Sequence, residues 1–341
     1  MNRFKRLFAF MALVLTLQLL VSCTAGQPQQ GQSSVVPEEP VDINFPLDFD
    51  GVYIEAMPMR IVSLSPALTE IICELGYEDR LVGRTDYCDY PGSVSALPSV
   101  GTVLMLDTEA VSALEPDLIV MQAPPTNEAL TKLQQTGAPI ATLSRAYDLA
   151  STGELYAKIF KLMEGTVEGV DKGERYKTEF AQRMENLKSA IERTVAAMED
   201  APEYTGAYIV DTYSIVATPD TYEGKLLEVL GLANAASDGA NWQFPHEKLT
   251  AAKPYILLCA SDIELESLAG NKRLGSLGAV KKERAYAVNS VIFERQSPRL
   301  ADELERLAKE IYPDLVLGTA SSEPQASSQD EQPQSEAASS T

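Results

Sequence analysis

Histidine is almost absent from this chain. One residue, His246, serves all 341 positions, alongside one tryptophan, Trp242, and four cysteines. A single imidazole cannot build the multi-histidine sites that hold bare zinc or manganese, so a receptor for a free metal ion is not expected. Nucleophilic catalysis is disfavoured too: Cys88 has no histidine near it in sequence and reads as a buried or tolerated thiol. His246 itself reads as a surface residue ahead of Glu247. Basic charge is also scarce, with 28 Lys and Arg against 49 Asp and Glu. That balance offers no electrostatic footprint for nucleic acid and no basic patch for an acidic surface. Long apolar runs are confined to one place, Leu7 to Val21, broken only by Thr16 and Gln18.

That run follows Arg3, Lys5 and Arg6 and stops at "LVSC", Leu20 to Cys23. A basic start, a short apolar stretch and small residues before a cut site describe a secretory signal over residues 1–22, too short for a comfortable membrane span. The cysteine at the cut resembles the lipobox of bacterial lipoproteins, which implies that Cys23 is diacylated and anchors the mature chain on the extracytoplasmic face of the cell membrane. Removal of the signal leaves 25 basic against 49 acidic residues, a net charge of −24. It also leaves Cys73, Cys88 and Cys259, an odd number that argues against a disulfide framework. Residues 23–49 are rich in Gln, Ser, Gly and Pro and read as a disordered tether. Residues 319–341 read as a disordered acidic tail.

Between them the pattern is α/β. "IVSL" is a β-rich run; Ser65-Pro66 supplies an N-cap and a first-turn proline; Leu68, Ile71, Ile72 and Leu75 make one apolar helix face; and Gly76 stops the helix. "RLVG", "DLIVM" and "APIATL" read as further strands of a parallel sheet covered by helices. The pattern restarts after residue 205 with "GAYIVDT", "YEGKLLEVLG", "PYILLC" and "RAYAV". Two similar α/β lobes are expected, at residues 50–165 and 201–318. Between them Tyr176, Phe180, Met184, Leu187, Ile191, Val195 and Met198 form one stripe at helical period. That stripe predicts a single long helix within residues 166–200 joining the lobes.

Each lobe also carries the same phrase: "EAVSALEPDLIVM" from Glu109 and "EKLTAAKPYILLC" from Glu247. Asp107 or Thr108 reads as the N-cap of one helix, and the other starts just after Pro245. An acid in a first turn favours the helix dipole by about 0.3–1 kcal/mol when exposed, which accounts for either glutamate alone. Duplicated folding explains the repeated apolar residues but does not require an exposed acid twice. Two equivalent acids suit a partner with two equivalent basic sites.

"IVSLSPALTE", "YCDYP", "VG…EAVSALEPDLIV" and "ERQSPRL" together resemble the solute-binding lipoproteins of ABC importers for cobalamin, ferric siderophores and haem. The resemblance implies two Rossmann-like lobes on one helical backbone, a monomeric binding protein rather than an enzyme, and a permease dimer as partner. It further implies that Glu109 and Glu247 dock onto the permease. The ligand is expected in the loops beyond the carboxyl ends of the strands, with Ser65, Pro66, Tyr87, Cys88, Tyr213, Trp242, Phe293 and Arg295 as candidate contacts. The aromatic members offer flat area suited to a macrocycle. "DYCDYP" is similar to the cobalamin-binding branch, although Val103 stands where that branch has a stacking tryptophan. Haem-binding relatives often use a tyrosine near "VG", where this chain has Thr102. Anionic ferric siderophores usually meet arginines, for which Arg295 and Arg84 are candidates. A corrinoid leads, with siderophore and haem as alternatives in the same family. A chelatase-like enzyme or a sensory surface lipoprotein are the alternatives from other classes. Neither a catalytic residue nor a resident cofactor or metal is expected.

Overall fold

The computed structural model describes residues 42–317, apart from Ser214 and Asp262. The signal peptide, Cys23, most of the tether and the acidic tail lie outside the described residues. A short antiparallel hairpin comes first, β1 (Leu47–Phe49) and β2 (Val52–Ile54), turning through Asp50 and Gly51 at φ 50° and 85°. Asp-Gly is the residue pair that accepts two successive positive φ angles at least cost.

The N-terminal lobe then winds through β3 (Ile61–Ser63), α1 (Pro66–Glu74), β4 (Leu81–Arg84), α2 (Thr108–Ala113), β5 (Leu118–Met121), α3 (Asn127–Gln134) and β6 (Ile140–Thr142). As expected, Ser65 caps α1, accepting from the Leu68 N–H at 3.3 Å, and Gly76 leaves it at φ 90°. The strands lie parallel in the order β4-β3-β5-β6.

Next come α4 (Leu149–Glu164), a π-helical turn over Gly165–Gly169, and α5 (Val170–Ala196). The C-terminal lobe follows with β7 (Thr205–Ile209), α6 (Tyr222–Val229), β8 (Ala233–Asn234), α7 (His246–Ala252), β9 (Ile256–Ala260), α8 (Gly278–Lys281) and β10 (Ala285–Val288). Two closing helices, α9 (Ser290–Arg295) and α10 (Arg299–Ile311), end the described chain. The second sheet has the order β10-β9-β7-β8, all parallel. Counted from the first strand of each lobe, both sheets read second-first-third-fourth. The repeat in the sequence is therefore a repeat of topology.

α5 is the expected connector. Its 27 residues span about 40 Å at ~1.5 Å per residue. Phe180, Met184, Leu187 and Ile191 are buried along one face, as the stripe requires. Near its start α5 folds back antiparallel on α4, with Tyr156 set edge-on to Tyr176 and Phe180. Further along, Arg183 donates to Asp302 and Glu305 of α10, both at 2.6 Å. The connector thus touches both halves and is braced by a second helix. Gly173 lets α5 pack closely on α4, since a Cβ there would stand 2.8 Å from the Ala157 carbonyl oxygen. Overpacking of this kind typically costs about 1–3 kcal/mol. We expect Gly173→Val to lower the urea midpoint accordingly; an unchanged midpoint would mean that the helices part without cost.

One continuous core runs from the N-terminal sheet through α4 and α5 to the C-terminal sheet, while each sheet buries a smaller separate cluster on its other face. Among the described residues no helix is long and apolar enough to cross a membrane. Cys73, Cys88 and Cys259 are free thiols.

Candidate functional site: paired acids and an interlobe cleft

Glu109 is the second residue of α2 and Glu247 the second residue of α7, the helices that precede the third strand of each lobe. Asp107 is the N-cap of α2, accepting from the Glu109 and Ala110 N–H groups at 3.1 and 2.9 Å. Each helix lays a short apolar edge on the smaller cluster of its sheet, through Val111 in one lobe and Leu249 in the other. Both glutamates are exposed, and among the described residues neither carboxylate makes an ion pair or side-chain hydrogen bond. Their charge is left free in both lobes.

His246 corrects an expectation. It is buried rather than on the surface. The first turn of α7 faces the sheet at i and i+3, His246 and Leu249, which turns the intervening Glu247 outward. Burial lowers the pKa of the imidazole below its ordinary value, partly offset by the charge of Asp211.

Between the lobes, at the carboxyl ends of the strands, lies a cavity of about 420 Å³. Arg145, Tyr208, Trp242, Glu223, Glu294 and Gln296 are among its walls. Trp242 reaches it from a strained turn, with Asn241 and Trp242 at φ 53° and 65°. Non-glycine residues enter this region at a cost and stay there only when surroundings hold them. Here the Asn241 N–H donates to Asp220 at 2.8 Å and the Trp242 N–H to Thr218 at 3.1 Å, while the Trp242 carbonyl accepts from Val216 at 3.1 Å. The indole is half-buried, its ring edge-on to Tyr208. Tyr213 rides the loop between the wall residues Val210 and Ile215 and is 62% exposed, with the Arg273 guanidinium over its ring. Tyr87 is 68% exposed beyond the end of β4.

The other candidate contacts fare differently. Phe293 is only 1% exposed and packs against Tyr208 from below, because α9 turns its Ile292–Phe293 edge into the core. Cys88 is buried, its sulfur 3.1 Å from the Thr69 hydroxyl and 3.2 Å from that of Thr85. Ser65 is buried and spent on capping α1 and on donating to Gln122 at 2.9 Å; Pro66 is the half-buried first residue of that helix. None of the four lines the cavity.

Arg295 belongs to an ion cluster that closes the lobes on each other. Glu70, fully buried on α1, takes Arg295 at 3.3 Å and Arg299 at 2.7 Å, and Arg295 also meets Asp89 at 2.6 Å. The Arg299 guanidinium lies 3.5 Å over the Tyr90 ring. Nearby, Gln296 exchanges hydrogen bonds with both backbone groups of Ala146, at 2.9 and 2.8 Å, and Tyr156 donates to the Gln296 carbonyl at 2.8 Å. Arg84 is likewise spent, donating to the carbonyls of Thr85, Val94 and Ser95.

Arg145, Glu223 and Gln296 were not read from the sequence. The duplication could have found Glu223. It sits on the helix that follows the first strand of its lobe, the counterpart of the "SPAL" segment in the other.

Comparison with known proteins agrees with this geometry. The profile of the periplasmic binding protein family matches residues 61–292. An ABC transporter substrate-binding lipoprotein of Bacillus subtilis (strain 168), YvrC, is 28% identical over 320 residues, covering 91% of this chain and 98% of its own. The vitamin B12-binding protein of Vibrio cholerae serotype O1 is 25% identical over 257 residues, covering 73% of this chain and 87% of its own. A crystal structure of a periplasmic haem-binding protein from Pseudomonas aeruginosa shares the fold, with a TM-score of 0.63 at 24% identity over 76% of this chain and 95% of that one. These relatives are binding proteins and not enzymes. On the evidence of that profile and of two duplicated lobes around one cleft, the chain belongs to the periplasmic binding protein family.

Proposed function

We propose that this chain is the extracytoplasmic receptor of an ABC importer, anchored by lipid at Cys23, which captures cobalamin or a related corrinoid between its lobes and presents it to a permease dimer. The observation that carries the receptor reading is the pair of unspent carboxylates, Glu109 and Glu247, at the same step of the same helix in each duplicated lobe. A symmetric permease offers two equivalent basic sites, and each acid meets one.

The choice of ligand rests on chemistry in the cleft. Both arginines that the sequence offered to an anionic ferric siderophore are committed to the protein itself, Arg295 to Glu70 and Asp89 and Arg84 to backbone carbonyls. The wall carries two acids, Glu223 and Glu294, against one arginine, Arg145. Such a cleft favours a neutral ligand rich in amides over one bearing carboxylates. Trp242, Tyr213 and Tyr87 supply flat surface for a macrocycle. The cobalamin-binding relatives point the same way.

Binding needs no covalent step. Loops from both lobes close over the ligand, and the buried ion cluster with the braced connector keeps that closure small. Titration of the unlipidated protein with cyanocobalamin, haemin and a panel of ferric siderophores tests the reading. Cyanocobalamin is expected to bind. Binding of haemin or a siderophore alone would overturn the corrinoid while leaving an importer receptor; binding of none would count against both.

A further inference from the structure

Glu223 is an acid the fold does not require. It is the second residue of α6, capped by Thr221, which accepts from the Gly224 N–H at 2.9 Å. The corresponding second residue of α1 in the other lobe is Ala67, so the duplicated helix forms equally well without a carboxyl there. The helix dipole favours an acid at this step, but an exposed one would serve as well. Glu223 is instead 5% exposed, in the wall of the interlobe cavity. Among the described residues no side chain hydrogen-bonds or ion-pairs with its carboxylate; its one donor is its own backbone N–H. A carboxyl withdrawn from water without a partner is costly unless something arrives to complete it. Burial accordingly raises its pKa, with the Arg145 charge opposing and that of Glu294 adding to the rise.

Arg145 shares the cavity wall. One of its guanidinium nitrogens donates to the Glu294 carbonyl at 2.7 Å, and among the described residues its other N–H groups have no partner. The wall therefore offers an acceptor and a donor together. A primary amide, with one carbonyl oxygen and one NH2, complements that pair: its oxygen meets the guanidinium and its N–H the carboxylate. A carboxylate of the same shape satisfies Arg145 but is repelled by Glu223 and leaves it unpaired.

We propose that Glu223 and Arg145 form the specificity-determining pair of the cleft, selecting a ligand edge that carries primary amides and rejecting the same edge as carboxylate. The inference deepens the corrinoid reading and rests on it, since the corrin rim carries such amides. The affinities to compare are those for cyanocobalamin and for its three isomeric monocarboxylic acids, each with one propionamide hydrolysed. Wild type should disfavour the isomer altered at the recognised edge by about tenfold or more, the scale on which a buried polar site rejects a mismatched analogue. Glu223→Gln should weaken cyanocobalamin, because the charge-assisted bond to its amide N–H is lost, and bind that acid about tenfold better, because the repulsion is gone. Arg145 is exposed, so Arg145→Met should fold regardless, and it should widen the discrimination by removing the acid's remaining partner. Unchanged discrimination in both variants, with cyanocobalamin still bound, overturns this pair and spares the corrinoid reading. No binding of cyanocobalamin to wild type overturns the reading and this inference together.

Discussion

Glu109→Ala combined with Glu247→Ala should abolish uptake while leaving ligand affinity within about twofold. Both carboxylates are exposed, unpaired and on the faces of α2 and α7 turned away from their sheets, so their removal should leave the cleft as it is. Each single variant removes one of two charge-pair contacts. Truncating one side of such a pair costs about 2–5 kcal/mol when the contact is desolvated, so either alone should already weaken docking strongly. Uptake of labelled cyanocobalamin by whole cells, set beside solution titration of the purified variants, separates the two effects. A loss of ligand affinity in the double variant would contradict the docking role and point to a structural or catalytic one.

Glu70→Ala should be the most destabilising substitution of a single charged side chain in the described protein. It strips a fully buried carboxylate from Arg295 and Arg299, whose side chains are themselves mostly buried. Breaking one partner out of a buried ion pair costs about 3–5 kcal/mol, chiefly because the remaining charge is stranded. Arg295 keeps Asp89, which softens the loss; Arg299 keeps its stacking on Tyr90 and the more distant charge of Glu303. Urea denaturation should show a lower midpoint at an unchanged slope. Glu70→Gln, which retains two acceptor positions on one oxygen, should lose less. A fall below about 1 kcal/mol in the alanine variant would mean that this cluster does not hold the lobes together.

Much of the architecture was legible because its signals are local. The helix stop at Leu-Gly recurs in both lobes, at Gly76 and Gly231, and both glycines take positive φ, 90° and 68°. The stripe on α5 placed Phe180, Met184, Leu187 and Ile191 in the core. Some local signals went unread. Asp50-Gly51 marks the β1–β2 hairpin as plainly as any dipeptide can, but strands of three residues carry almost no alternation to flank it. The site was harder. Tyr87 and Tyr213 do stand exposed near the cleft, whereas Phe293 and Cys88, on neighbouring stretches, turn inward. A loop has no periodicity from which the direction of a side chain can be read, so residue type alone cannot separate a ligand face from a core face.

The sequence by itself determined the two α/β halves, the connector, the reach of the repeat and the acid at one step of each. These follow from spacing along the chain, and spacing survives without knowledge of what lies opposite. Only the tertiary structure decided that His246 is buried, that Arg295 and Arg84 are already committed, and that Arg145 from one lobe and Glu223 from the other line the same cavity. Charge neutralisation and burial depend on partners tens to hundreds of residues away. Glu70 and Arg299, for example, are 229 positions apart in the chain and become neighbours only when both lobes have closed on α4 and α5.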